Sequence, residues 1–407
     1  MNNWPKFTIG ELITQGVIEP PIDGNHGETH PKAKDYRPSG IPFIMASDIN
    51  ESLIDFKQCK FIDKTQADKL RKGFAYPGDV LLTHKATIGR TAIVPDNLSV
   101  PYLMLTPQVT YYRVKDKNIL SNKYLKYYFD SPYFQKTLAL WAGSGSTRAY
   151  LGILGQHNLE IVLPPLEIQE KISKILSLID EKILSNLKIN DILESMVINS
   201  YQQYLFNLKS NINLKYKKIK DITTLIRRGI SPDYVDNEGM LVINQKCIRD
   251  HKISFDVAKR HSKVLNDERV LRLGDILVNS TGVGTLGRIA YVKRLPEKKV
   301  TFDSHVKLIR ADNTQILDEF LALGMLGYQP YLEASANGST GQAELDSAIL
   351  ENLEIAVPHI EDQEKFINNI RPLIEKVALS ETEIEHLVQI KERILPLLLS
   401  GKITFSN

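Results

Sequence analysis

The sequence predicts an α+β chain built as an internal repeat: an irregular β-rich domain followed by one long helix, twice, with the two helices paired antiparallel as a coiled coil. Three observations predict this. Sequence signatures recur in the same order in both halves at a period near 195 residues. Residues 166–209 contain neither Gly nor Pro and carry apolar residues at steps of three and four. Each half also holds a strand–loop–strand run opened by Gly-Asp. The expected segments are 1–165 and 210–358 for the domains, 166–209 and 359–407 for the helices, with the large domains at opposite ends of the helix pair. Such an arrangement would give the repeat a pseudo-twofold relation.

The clearest repeat is Asn158-Leu-Glu-Ile-Val-Leu-Pro164-Pro-Leu-Glu-Ile-Gln-Glu-Lys171, which returns as Asn352-Leu-Glu-Ile-Ala-Val-Pro358-His-Ile-Glu-Asp-Gln-Glu-Lys365. Gly78-Asp-Val-Leu-Leu-Thr with Thr87-Ile-Gly-Arg90 returns as Gly274-Asp-Ile-Leu-Val-Asn with Thr285-Leu-Gly-Arg288. Gly145-Ser-Thr147 matches Gly338-Ser-Thr340, and Gly40–Met45 weakly matches Gly239–Asn244. A period this long is a duplicated module, since solenoid repeats are several times shorter.

In the first domain, Phe43-Ile-Met and the two halves of Gly78–Val94 read as strands, and Ser121–Leu140 has helical spacing. The first long helix follows Pro164 and Pro165, with Glu167 and Glu170 favourably placed near its positive dipole end. Its stripe runs through Ile172, Ile175, Leu176, Ile179, Ile183, Leu187, Leu193 and Val197. About 40 helical residues span roughly 60 Å, and so long an amphipathic helix needs a partner for its stripe. In the second domain, Leu241-Val-Ile and the halves of Gly274–Val292 repeat the strands, and Ile316–Tyr328 repeats the helical spacing. The partner helix starts near Ile360 and carries Phe366, Ile370, Ile374, Val377, Ile384, Leu387, Val388, Ile394 and Leu395. Pro372 is expected to kink or interrupt it.

Composition narrows the function classes. With 407 residues, 43% apolar and 24% charged, the chain is ordinary globular protein. No run of about 18 apolar residues could cross a membrane, and the start Met-Asn-Asn-Trp-Pro-Lys lacks an apolar signal core. Two cysteines, Cys59 and Cys247, imply no disulfide framework and a cytoplasmic setting. The net charge of +3 divides into +4 for residues 1–165, −1 for 166–209, +2 for 210–358 and −2 for 359–407. The basic domains permit a nucleic-acid partner without proving one.

No motif arms the chain for catalysis. Gly282-Val-Gly284-Thr-Leu-Gly287 matches a dinucleotide fingerprint in letters, but a β-type run, Arg288–Val292, follows it where a helix is required. It reads as a glycine-rich hairpin tip. The Asn/Asp-Pro-Pro-aromatic tetrad of a methyltransferase is missing, and so are Gly-x-Ser-x-Gly and a complete phosphate loop. Asp180-Glu-Lys182 lies on the long helix and reads as a solvated face. No His/Cys cluster has metal-ligand spacing. What remains is polar, basic loop surface. Thr83, His84, Lys85 and Arg90 flank one hairpin tip; Asn279, Ser280, Thr281 and Arg288 flank the other. Ser144, Ser146, Thr147 and Arg148, and Ser339, Thr340 and Gln342, lie on hydroxyl-rich loops, and Arg227 and Arg228 add a basic pair. These residue types suit phosphate oxygens and base edges in the major groove.

Two domains that each close on a Leu-x-Ile-x-x-Pro-like run and a Gln-Glu-Lys helix start resemble the specificity subunit of a Type I restriction-modification system, over nearly the whole chain. Pro164–Gln169 keeps the family's Pro-Pro-Leu-x-x-Gln; the second copy has His359 and Ile360 in place of Pro-Leu. The resemblance implies two target-recognition domains, 1–165 and 210–358, each reading half of a bipartite site in double-stranded DNA. It implies spacer helices at 166–209 and 359–407 that set the gap and dock two modification (methyltransferase) subunits. Restriction subunits, ATP-dependent translocases and nucleases, would join them in the prokaryotic cytoplasm. S-adenosylmethionine, ATP and Mg would sit on the partners and no cofactor on this chain, which would be a non-catalytic subunit with no membrane role. Two rivals stay open at this point: a fused chain with its own methylation or restriction activity, and a scaffold that holds proteins rather than DNA.

Overall fold

Each repeat opens and closes on the same two-stranded ribbon. Lys6–Thr8 pairs antiparallel with Glu160–Val162, and Tyr216–Lys218 pairs with Glu354–Ala356. The computed structural model describes the whole chain except residues 1–3, 28–29, 51, 144–148, 212–213, 266, 336–343, 404 and 406–407. It divides into two compact units, Met1–Leu184 with Glu385–Asn407, and Ser185–Ile384. Both division points fall inside the long helices. Each unit takes part of each helix into its own core.

In the first unit, Thr8 caps the helix Ile9–Thr14 through a reciprocal box with Glu11. An antiparallel sheet runs in the order Thr87–Ile93, Val80–Lys85, Val109–Tyr112, Ile22–Asp23. A five-stranded sheet contains one parallel pair, Ile41–Ile44 with Leu103–Leu105. Ser121 and Ser131 cap the helices Asn122–Asp130 and Pro132–Trp141, and Pro132 stands where a missing N–H costs nothing. Tyr112, Tyr124, Phe129 and Phe134 form an aromatic core with Ile172 and Leu176 of the first long helix and Leu395 and Leu398 of the second.

The second unit repeats this plan. Thr223–Arg228, Val306–Ala311, Ile276–Asn279 and Ile289–Tyr291 form its antiparallel sheet. The parallel pair recurs as Met240–Ile243 with Val300–Phe302. Phe320 packs on Tyr201 of the first long helix and Phe366 of the second, in one core with Val197, Ile367 and Ile370. Early residues of one helix thus meet late residues of the other within each unit, so the pair is antiparallel.

The long helices cover Leu166–Asn211 and Ile360–Leu399. Pro372 does not interrupt the second. It lies on the exposed side, as does Asn368, whose carbonyl loses its helical bond. The stripes are also less apolar than expected. Asn186 and Asn190 are buried, and Asn186 Nδ2 donates to Glu383 Oε2 at 2.8 Å, while Val388 is exposed. Asp180 is no solvated face: it accepts from Tyr127 Oη at 2.9 Å and from Lys391 Nζ at 2.5 Å, and Lys126 Nζ lies 3.6 Å away.

One polar knot recurs in both units. Gln169 is fully buried; its Oε1 accepts the Ser121 N–H at 2.9 Å, and its Nε2 donates to the Ile119 and Pro164 carbonyls at 2.9 Å. Gln363 accepts from the Leu317 N–H at 2.9 Å and donates to the Gln315 and Pro358 carbonyls at 3.0 and 2.9 Å. Each glutamine ties a helix start to the chain entering it and to a turn of its domain. Gln169→Ala leaves buried backbone groups unpaired, so stability should fall by about 1–3 kcal/mol. Gln169→Glu should cost more, because a carboxylate cannot donate to two carbonyls. Urea unfolding of the two variants measures both.

Candidate nucleic-acid interface

The two Gly-Asp strands are anchored identically. Asp79 and Asp275 are almost fully buried, and each receives a bidentate arginine from a neighbouring strand region. Arg113 donates to Asp79 at 2.9 and 2.7 Å, and Arg310 to Asp275 at 2.7 and 2.7 Å. Burial pushes the Asp79 carboxyl above its ordinary range, and Arg113 only partly offsets this. These pairs fix the roots of both hairpins. Neither arginine was singled out from sequence, though Tyr112-Arg113 and Ile309-Arg310 stand 34 and 35 residues after their aspartates, a spacing the repeat makes visible.

In the first unit, Val80–Lys85 and Thr87–Ile93 form the expected hairpin, with Ala86 at φ +65° in the tip. Thr83 and His84 are fully buried. Thr83 Oγ1 accepts the Arg90 N–H at 2.9 Å, and His84 Nδ1 lies 3.0 Å from the Leu151 carbonyl. Burial holds the His84 imidazole below its ordinary value, hence neutral. Arg90 donates to the Ala46 and Ile49 carbonyls at 3.2 and 3.0 Å and to Asn50 Oδ1 at 2.7 Å. Thr83, His84 and Arg90 therefore hold the tip from within instead of reaching outward. Lys85 is exposed, with Nζ 5.8 Å from the Tyr150 ring centre. The Ala86 N–H donates to the Ala149 carbonyl at 3.3 Å. The tip thus abuts the end of the Gly/Ser/Thr loop, whose Ser144, Ser146, Thr147 and Arg148 lie outside the described residues.

The second unit joins the corresponding parts. Asn279 and Ser280 are buried; Asn279 Nδ2 donates to the Gln245 and Thr285 carbonyls at 3.0 Å, and the Ser280 carbonyl accepts the Leu345 N–H at 2.8 Å. Arg288 donates to the Gly284 carbonyl at 2.9 Å, and Thr281 Oγ1 meets His305 Nδ1 at 2.6 Å. Leu345 and Glu344 border the second hydroxyl-rich loop, whose Ser339, Thr340 and Gln342 lie outside the described residues. Arg227 and Arg228 are exposed at a sheet edge and pair with Glu268 and Glu344. Half-exposed pairs of this kind contribute roughly 0–1 kcal/mol, so exchanging a carboxylate for a phosphate costs little. His305, Ser304 and Tyr150 were missed, because nothing in sequence brings them to a hairpin tip.

The dinucleotide-like glycines occupy the tip between strands Ile276–Asn279 and Ile289–Tyr291, without the helix a pyrophosphate requires. Cys59 and Cys247 are free and buried, each thiol pushed up to about 11 mainly by desolvation. Among the described residues no His/Cys/Asp/Glu group of metal-binding size occurs, and no helix is long and apolar enough to cross a membrane.

A twice-built module of hairpin, polar loop and long helix defines a class of paired recognition chains. The family model for the Type I restriction modification DNA specificity domain matches residues 1–195 and 211–389, and the chain belongs to that family. It is 23% identical to the putative type I restriction enzyme MjaX specificity subunit of Methanocaldococcus jannaschii, covering 98% of this chain and 96% of that one. The MjaIX specificity subunit of the same organism is 24% identical over 91% of this chain and 89% of its own. The fold resembles the crystal structure of a Type I restriction-modification S subunit from M. genitalium, with TM-score 0.57 and 14% identity, covering 100% of this chain and 98% of that one.

Proposed function

We propose that residues 1–165 and 210–358 each bind one half of a bipartite site in double-stranded DNA. The long helices set the gap between the halves and dock two modification subunits. S-adenosylmethionine is carried by those subunits, ATP and Mg by restriction subunits, and this chain supplies recognition without chemistry, in the prokaryotic cytoplasm. One observation carries the reading: in each unit, separately, the fold brings a hairpin tip against the border of a hydroxyl-rich loop. In the first domain we assign DNA contact to Lys85, Tyr150 and residues 144–148. In the second we assign it to Arg227, Arg228, Thr281, His305 and residues 336–343. Thr83, His84, Arg90, Asn279, Ser280 and Arg288 position these groups.

The direct test is single-molecule sequencing for methylated adenines in cells that carry this chain with its modification subunit. A split methylated sequence that vanishes when the chain is deleted is the expected result; unchanged methylation would sink the reading. Lys85→Ala separates contact types. A phosphate contact carries no sequence information, so its loss should lower the slope of log K against log salt by about one and keep sequence preference. Titrations at several salt concentrations measure that slope.

A further inference from the structure

The second hairpin tip carries a feature that phosphate binding does not use. Val283 is fully exposed at its apex, with a relative accessibility of 106%. The residues on either side are tied down. The Gly282 carbonyl accepts the Thr285 and Leu286 N–H groups at 3.1 and 3.0 Å, and the Gly284 carbonyl accepts Arg288 at 2.9 Å. Gly282 and Gly284 have φ of +105° and +73°, which no branched residue would adopt readily. Leu286 is buried in the domain core, and the Gly287 N–H donates back to the Asn279 carbonyl at 2.8 Å. A lone exposed valine on a loose loop is unremarkable. Here a pinned tip holds an isopropyl group outward, two residues from Thr281, whose hydroxyl meets His305. The first hairpin presents Lys85 and Ala86 at this place, so the two tips differ in chemistry.

We propose that Val283 is a specificity-determining residue that packs on the 5-methyl group of a thymine in the half-site bound by residues 210–358. The inference rests on the DNA-reading function proposed above. Thr281 and His305 beside the tip suit phosphates and base edges, and the thymine methyl is the apolar group that the major groove offers. A branched side chain with no polar atom reads that group and no other base feature.

The test uses the complete complex with its modification subunits and the target found by methylation mapping. Each thymine of that half-site, on either strand, is replaced singly by uracil, which lacks only the methyl group. One replacement should weaken wild-type binding about fourfold, the ~0.8 kcal/mol of one buried methyl. Val283→Ser should bind the thymine duplex about fourfold more weakly and be indifferent to that uracil. An unchanged melting temperature checks that the variant folds. Wild-type indifference to every uracil, the outcome expected of a valine wedged between base steps, overturns the proposal. So does a Val283→Ser variant that keeps the wild-type uracil response, or a half-site without thymine. A complex that methylates no defined sequence would instead overturn the DNA-reading function itself, and this proposal with it.

Discussion

Exchanging residues 1–165 for the same region of a relative should change one half of the methylated sequence and leave the other half intact. The first domain has its own hairpin, loop and aromatic core, and so does the second. The junction tolerates exchange because Gln169 binds backbone atoms there: the Ser121 N–H and the Ile119 and Pro164 carbonyls. A donor domain that follows the same path supplies these whatever its side chains. The Asp180 cluster is more demanding, since it needs Lys126 and Tyr127 from the domain and Lys391 from the second helix. A donor lacking them leaves a half-buried carboxylate with only Lys391, so its chimera should be active but less stable. Methylation mapping of the chimera reads the outcome. Changes in both halves would mean that the domains do not read independently.

The large plan was legible in sequence because it depends on patterns that repeat. The period exposes the duplication, Gly-Asp marks the hairpins, and the Gly- and Pro-free run marks the first helix. The second helix was legible too, and Pro372 does not interrupt it: this proline and Asn368, the residue whose carbonyl it frees, both stand on the exposed side. Apolar spacing likewise drew the stripe through Leu187, whereas the buried positions are Asn186 and Asn190. Hydropathy cannot see a polar residue that is buried because a partner such as Glu383 awaits it. The interface was legible only as a neighbourhood. Thr83, His84, Arg90, Asn279 and Ser280 have the composition of a DNA contact, yet the first four spend side-chain polar atoms inside the hairpins and Ser280 is buried. A strand alternates its faces, and no sequence signal says which face of a short tip is lined by the chain's own carbonyls. Arg113 and Arg310 were hidden for the opposite reason. Each is an unremarkable arginine until its buried aspartate is located.

Matched insertions in the two long helices should change the gap in the target and leave both half-sites unaltered. The helices are joined along a seam that includes Asn186 and Glu383, so residues added to one helix alone would put it out of step with its partner. Buried polar residues at such positions fix register at a cost in stability. Four residues placed after Asn186, with four placed opposite at Glu383, keep the seam in step. They add about 6 Å along the axis and turn the stripe by only about 40°. DNA rises about 3.4 Å per base pair, so the undefined gap should lengthen by one or two base pairs. Two residues in each helix turn the stripe by about 200° and carry Ile172–Leu176 and Val197–Tyr201 onto opposite faces. That variant should lose methylation altogether, because one of its helix halves exposes its apolar side chains. Methylation mapping distinguishes the two cases. An active four-residue variant with the original gap would show that the distance between half-sites is set elsewhere in the complex.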